Sequence, residues 1–235
     1  MARNANTRYF SARLTKAEII AGWCYLPFYL VLLSVLLQHL FRALQIPLDS
    51  IVLNIAYFSV NLAAVLLIFH NFLRQRFFGE SFWEFLQACI LGFVFYQAGT
   101  WAVQFAVTKL GGTLEIYNND TVEGMVLQNR YVMLAISVVL APVIEETLLR
   151  GLVFGSIRTA SRPMAYITSI FIFTMMHNWQ YFGLYPFGSM LLSCLAYVPA
   201  SAALCWTYEK AGTIWAPITI HAIINAISFG IVVLP

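Results

Sequence analysis

Charged side chains are scarce in this chain. Asp, Glu, Lys and Arg together make up 10% of its 235 residues, whereas apolar residues make up 61%. Soluble domains carry about 25% charged residues, so the composition excludes an ordinary soluble domain and indicates a protein of the lipid bilayer. The net charge is only +3 and no concentrated basic face is visible, which excludes a nucleic acid as the partner.

Signatures of several catalytic and metal-binding classes are also absent. No serine lies in a G-x-S-x-G context, which disfavours a serine hydrolase. No H-E-x-x-H sequence occurs, which excludes an ordinary zincin. The cysteines are Cys24, Cys89, Cys194 and Cys205. They stand singly in apolar segments without a C-x-x-C pair, so we expect them to be small buried hydrophobic residues.

Long apolar runs dominate the sequence instead. Seven of them are long enough, or nearly so, to cross a hydrocarbon core of about 30 Å. They run over Ile19–Phe41, Ser50–His70, Phe85–Leu110, Tyr131–Ile157, Ala165–Phe182, Leu184–Tyr208 and Thr213–Leu234. We expect an all-α fold, a polytopic transmembrane helix bundle of about seven spans, or eight if a re-entrant element is present. The polar stretch Gly111–Asn129 is expected to be a loop outside the membrane.

Lysine and arginine are distributed unevenly between the loops. With the N-terminus inside, the inner side carries Arg3, Arg8, Arg13, Lys16, Arg74, Arg76, Arg158, Arg162 and Lys210. The outer side carries only Arg42, Lys109 and Arg130. Because short cytoplasmic loops are enriched in Lys and Arg, we expect a cytoplasmic N-terminus. The expected location is the plasma membrane of a prokaryote.

The fourth apolar run contains the sequence Glu145-Glu146-Thr147-Leu148-Leu149-Arg150. An ionisable group at membrane depth costs at least a few kcal/mol, so such groups are functional candidates. Glu146 and Arg150 are four residues apart on one helix face, where they can pair. Glu145 lies about 100° further round the helix and needs another partner.

Two histidines and an asparagine in later runs are candidate partners. Counted from the turn near Ala160, both Glu145 and His177 lie about 23–25 Å into the membrane at 1.5 Å per residue. Counted from the turn near Lys210, His221 lies roughly 16 Å deep and Asn225 roughly 22 Å. These similar depths predict that the polar groups meet.

Prolines precede two of these groups. Pro142 lies three residues before Glu145, and Pro217 lies four before His221. We expect each to free a backbone carbonyl and open its helix, with ordinary kinks as the alternative.

Several kinds of chemistry fit these side chains. Glu with His can deprotonate a water for hydrolysis, and His with Asn can stabilise an oxyanion. Two histidines with one or two glutamates also match the ligand set of zinc. A proton relay of a transporter is a third possibility, but no paired inverted segments are visible. A lone histidine in a span is often only an interhelical hydrogen-bonding group.

The order Glu145-Glu146-x-x-x-Arg150, Phe173-x-x-x-His177 and His221-x-x-x-Asn225 resembles the three motifs of the CPBP family. That family comprises CAAX prenyl proteases of the second type and bacteriocin-processing or immunity-related membrane proteases, also called Abi proteins. The resemblance covers about residues 131–234. It leaves residues 1–130 as a three-span region of unassigned role and residues 131–235 as a four-helix catalytic core.

The resemblance implies a hydrolase, an intramembrane endopeptidase of the glutamate type. Its substrate would be a peptide or a lipidated protein in the membrane. By the family pattern, Glu145 and His177 would activate water, and His221 and Asn225 would form the oxyanion hole. The supporting residues would be Glu146, Arg150 and Phe173.

Two alternatives stay open beside this reading. No cofactor is required, but zinc is possible, and a metalloendopeptidase would hold it with Glu145, His177 and His221. A non-catalytic membrane scaffold, such as a bacteriocin self-immunity protein, is the alternative from another functional class.

Overall fold

The computed structural model describes residues 12–228 and residue 230, which form nine helices and no β-strand. The helices are α1 Lys16–Ala43, α2 Ser50–Ile68, α3 His70–Leu73, α4 Phe82–Lys109, α5 Tyr117–Gln128, α6 Arg130–Arg158, α7 Arg162–Asn178, α8 Phe187–Ala211 and α9 Trp215–Ser228. The expected all-α bundle is confirmed. Arg3, Arg8 and the end of the last expected span at Leu234 lie outside the described residues.

Five of the seven expected spans are helices long and apolar enough to cross a membrane, namely α1, α2, α4, α6 and α8. The fifth and seventh expected spans form shorter helices. α7 has 17 residues and gives way to a 3₁₀ turn at Trp179–Tyr181, and α9 has 14 residues. The depths expected for His177, His221 and Asn225 were therefore counted along helices that are shorter than the predicted spans.

The expectation that Gly111–Asn129 is a loop was wrong, because Tyr117–Gln128 forms α5. One stripe of this helix packs on the bundle. Tyr117 stacks on Tyr185 at 3.8 Å between ring centroids, and Tyr181 Oη donates to Thr121 Oγ1 at 2.8 Å. Of the acidic residues in this stretch, Asp120 and Glu123 are exposed on the helix, whereas Glu115 precedes it.

Two smaller expectations were also wrong. Cys24 is exposed on α1, although the other three cysteines are buried as expected. Pro217 is the third residue of α9, which begins at Trp215. In the first helical turn the N–H of a residue has no intrahelical partner anyway, so Pro217 frees no carbonyl and opens no helix.

Most of the described basic residues lie in segments at one end of the bundle. Contacts there join the start of α1, the α3–α4 connection, the α6–α7 turn and the α8–α9 turn. They are Arg13–Glu80, Arg76–Thr213, Arg158–Glu209 and Arg162–Glu209. We call this the basic end and the opposite end, where α5 lies, the α5 end.

Small residues bring α4 close to α8. A Cβ at Gly99 would come within 2.9 Å of the Pro199 ring, and a Cβ at Gly92 would overlap Thr207 Oγ1. That hydroxyl donates to the Ala203 carbonyl at 2.9 Å, so it cannot rotate away without losing the bond. Close approach of helix backbones through small residues is a common way of packing helices in membranes. It fixes α8, which carries two side chains of the site.

Gly92→Ala should therefore destabilise the protein by about 1–3 kcal/mol, because the added methyl group meets Thr207 in a filled interface. Thermal unfolding of the purified protein in detergent measures this as a lower midpoint. Gly188→Ala is the matched control, since a Cβ there meets nothing within 4 Å. An unchanged midpoint for Gly92→Ala would show that α4 and α8 are not packed this closely.

Candidate active site

An ion pair between Glu146 and Arg150 lies at the centre of the bundle, and both side chains are fully buried. Arg150 Nη1 donates to Glu146 Oε1 at 2.9 Å, as the four-residue spacing predicts. Arg150 Nη2 donates to Ser201 on α8, both to the hydroxyl at 2.9 Å and to the carbonyl at 3.2 Å. The guanidinium also lies 4.6 Å from the centre of the Phe173 ring. Arg150 thus joins α6, α7 and α8.

His221 on α9 is bound to the same carboxylate. Its Nδ1 lies 2.7 Å from Glu146 Oε1. A carboxylate paired with arginine accepts hydrogen bonds, so Nδ1 carries the hydrogen and Nε2 is the free nitrogen of the ring. The sequence pattern assigned Glu146 to Arg150 alone. The contact with His221 was missed because nothing in the spacing along one helix reveals which ring of another helix lies beside it.

His177 is oriented by its own helix and by α8. Its Nδ1 lies 2.8 Å from the Phe173 carbonyl, which can only accept, so Nδ1 is the donor here too. The imidazole stacks on Tyr197 at 4.5 Å and 26°, and its centroid lies 4.5 Å from that of Phe173. Tyr197 was not predicted as a site residue, because α8 carries no motif and its aromatic side chain looks like many others in the sequence.

Glu145 faces both free histidine nitrogens. Its Oε2 lies 4.0 Å from His177 Nε2 and 4.0 Å from His221 Nε2. The side chain is only 9% exposed, and this oxygen has no hydrogen-bond partner within the described part of the chain. A separation of 4.0 Å is too long for a direct hydrogen bond but suits two groups that hold one small molecule between them. The structure thus brings Glu145 together with both histidines.

Asn225 donates a hydrogen bond to a backbone carbonyl of α6. This carbonyl has no backbone donor, because a proline stands at the position of the donor. α6 contains a π-helical segment, Ala135–Leu140, in which Ala141 N–H donates five residues back to Ile136. The next carbonyl, Ser137, is due the N–H of residue 142, and Pro142 has none. Asn225 Nδ2 donates to the Ser137 carbonyl at 2.7 Å instead. The helix opening expected at Pro142 is therefore present. One of the two N–H groups of Asn225 donates to the carbonyl that the proline frees.

A cavity of about 890 Å³ reaches these groups. Glu145, His177, His221 and Asn225 all line it, as do Tyr29 on α1 and Tyr57 on α2. Tyr57 Oη donates to the Tyr29 carbonyl at 2.7 Å, which ties the two N-terminal helices together at the cavity wall. The three-span region to which the sequence assigned no role thus builds one side of the cavity.

The donors around Glu145 do not match the geometry of a zinc site. Neighbouring ligands on a tetrahedral zinc ion lie about 3.4 Å apart, given metal–ligand distances of about 2.0–2.1 Å. Both separations between Glu145 and the histidines are 4.0 Å. Nowhere in residues 12–228 or at residue 230 do three His, Cys, Asp or Glu side chains lie close enough together to hold a metal ion.

Removal of either partner from the buried pair should destabilise the protein by about 3–5 kcal/mol, because the other charge is left unpaired. We expect Glu146→Gln and Arg150→Met each to lower the thermal midpoint in detergent strongly. The double variant should be less unstable than the sum of the two, since the interaction between Glu146 and Arg150 is lost only once. Additive losses would show that the two side chains do not interact.

Comparison with known proteins agrees with the geometry. Residues 127–227 match the family model described as type II CAAX prenyl endopeptidase Rce1-like. No curated protein and no solved structure matches the chain significantly. The matched range contains all three motifs and the helices α6 to α9, apart from the last residue of α9. Residues 127–227 therefore match the CPBP/CAAX protease family, in agreement with the resemblance that the motifs indicated.

Proposed function

We propose that this protein is an intramembrane endopeptidase in which Glu145 acts as the general base on a water molecule. The observation that carries the proposal is the position of the Glu145 carboxylate, which is buried and equidistant from two imidazole nitrogens at the end of a cavity. No group of residues 12–228 or of residue 230 makes a hydrogen bond to its Oε2. The family match supports a peptidase in general, and the site geometry supports these particular roles.

The attack on the peptide bond follows from the free atoms of the site. A water held between Glu145 Oε2 and His177 Nε2 loses a proton to this pair as its oxygen forms a bond to the carbonyl carbon. His177 is suited to hold that water because its Nδ1 is fixed by Phe173 and its ring by Tyr197. The substrate carbonyl oxygen then carries the negative charge.

His221 and Asn225 are placed to stabilise that oxyanion. Asn225 uses one N–H on the Ser137 carbonyl, which fixes the amide and leaves the second N–H for the substrate. His221 Nε2 can donate only if the ring carries two protons, and Glu146 at Nδ1 is then its counter-ion. Donors held in place before the reaction stabilise a developing charge most effectively.

The charges of the site balance when it holds one additional proton. Glu145 and Glu146 carry two negative charges if ionised, and Arg150 carries one positive charge. A net charge is unfavourable in a buried site of low dielectric constant. A proton on His221 makes the cluster neutral and leaves Glu145 as the base. When the tetrahedral intermediate collapses, the C–N bond breaks, and the proton taken from water passes to the leaving amine.

Replacement of the base or of the amide donor should remove activity without unfolding the protein. Glu145→Gln keeps the shape of the side chain and should lower cleavage by about 10²–10⁴-fold, as expected for loss of a general base. Asn225→Ala should lower cleavage by about 10²–10³-fold, as expected for loss of an oxyanion donor. The measurement compares membrane peptides from cells that produce the wild-type protein with those from cells that produce each variant.

A matched control and a stability check make this comparison decisive. Glu80→Gln changes an exposed carboxylate at the basic end, away from the cavity, in the same way and should leave cleavage intact. All variants should show wild-type amounts of folded protein in the membrane. Wild-type peptide patterns for Glu145→Gln would overturn the catalytic proposal. A phenotype that survives this substitution would favour the scaffold or self-immunity alternative.

We further propose that the reaction needs no metal ion, because the donor separations of 4.0 Å are wider than zinc requires. Cleavage of an identified substrate peptide by the purified protein should then persist after prolonged treatment with a strong chelator. The same assay with a zinc peptidase gives the positive control for metal removal. Loss of activity that zinc restores would instead support a metalloendopeptidase.

A further inference from the structure

The cavity extends from the site toward only one end of the bundle. On α6 its lining residues run from Met133 to Glu145, and no residue between Glu145 and Arg158 contributes. On α9 the lining begins at His221 and continues toward the C-terminal end of the helix. In each case the lining lies on the side of the site that faces the α5 end.

On α1 and α2 the cavity also extends from the site toward the α5 end. On α1 the lining residues lie between Tyr29 and Gln38, in the half of the helix that leads to the α5 end. On α2 they lie between Ser50 and Phe58, in the half that begins there. Asn54 contacts Met125 of α5 at 3.3 Å, so this part of α2 adjoins α5 directly.

The space between the site and the basic end is filled. Side chains there are fully or almost fully buried and belong to one hydrophobic cluster. They include Leu149, Leu152, Val153, Phe154, Ala165 and Tyr208. A close-packed layer of this kind admits neither water nor a peptide. The site is therefore reached from the α5 end.

The two ends differ in the residues that set orientation in a membrane. Lys and Arg at the basic end, among the described residues, number seven, against three at the α5 end. The seven are Arg13, Lys16, Arg74, Arg76, Arg158, Arg162 and Lys210, and the three are Arg42, Lys109 and Arg130. Short loops rich in Lys and Arg stay in the cytoplasm, so the basic end is the cytoplasmic one.

The mouth of the cavity suits a peptide. Its lining near the α5 end includes the amides of Gln38, Asn54, Asn118 and Asn119 and the carboxylate of Glu123. Amide side chains can both donate to and accept from a peptide backbone. Among the described lining residues there is no Lys or Arg to pair with a free C-terminal carboxylate. An internal peptide bond fits this lining better than a bond next to a chain terminus.

We propose that the site takes its substrate from the extracytoplasmic side of the membrane, as a peptide segment that enters past α5. The inference rests on the proposed peptidase function for the fate of the segment, but the direction of access rests on the cavity and the charges alone. It places the substrates among proteins with segments outside the cytoplasm. A cytoplasmic C-terminal tail would meet the filled basic end.

Single cysteine substitutions test the direction of access. Asn119→Cys marks the exposed mouth, Ser137→Cys marks the cavity wall, and Ala160→Cys marks the exposed α6–α7 turn. A charged, membrane-impermeant thiol reagent is applied to sealed vesicles of known orientation, right-side-out or inverted. We expect the first two variants to react in right-side-out vesicles and Ala160→Cys to react in inverted ones. The unsubstituted protein, with its exposed Cys24, gives the background.

Each result decides the proposal without any cleavage assay. Reaction of Ser137→Cys from the side that labels Ala160→Cys, or from neither side, would overturn it. Reaction of Asn119→Cys in inverted vesicles would overturn it as well, because the mouth would then face the cytoplasm. The peptides that depend on Glu145 give a second readout, since their cleaved bonds should lie in extracytoplasmic segments. Absence of such peptides would contradict the proposed function but leave the labelling result valid.

Discussion

The Glu146 carboxylate is the interaction on which the rest of the structure depends. One of its oxygens accepts from Arg150 on its own helix and from His221 on α9. Arg150 extends the contact to Ser201 on α8 and to the ring of Phe173 on α7. A single buried ion pair thus fixes the relative positions of four helices. Glu145, one residue earlier, is thereby held at a set distance from both imidazoles.

Local spacing predicted the parts of the site that lie on one helix. The Glu146–Arg150 pair follows from a four-residue separation, and the similar depths of Glu145 and His177 follow from helix rise and a shared turn. Contacts between helices were not predictable in this way. Neither the bond from His221 to Glu146 nor the stacking of Tyr197 on His177 leaves a mark in the sequence of either partner.

Hydropathy predicted the long apolar helices but misjudged the segments at their ends. Tyr117–Gln128 has a low apolar content, yet its Tyr117, Thr121 and Met125 recur every four residues and face the bundle. A helix with so narrow an apolar stripe looks like a loop when only composition is considered. Pro217 was misjudged for a related reason, because the start of α9 is set by the turn at Thr213 and not by hydropathy.

α6 contains two π-helical segments, Ala135–Leu140 and Thr147–Phe154, so it differs from an ordinary α-helix of the same length. Each π-helical segment contains one residue more than an α-helix of the same number of turns. The residues after it are therefore rotated by about 100° about the helix axis relative to an ideal 3.6-residue repeat. A helical wheel drawn for Arg130–Arg158 as one regular α-helix would therefore assign Glu145 to the wrong face of the helix. Deletion of one residue from Ala135–Leu140 would remove the first of these wide turns and rotate the upstream half of α6, which would turn the Ser137 carbonyl away from α9.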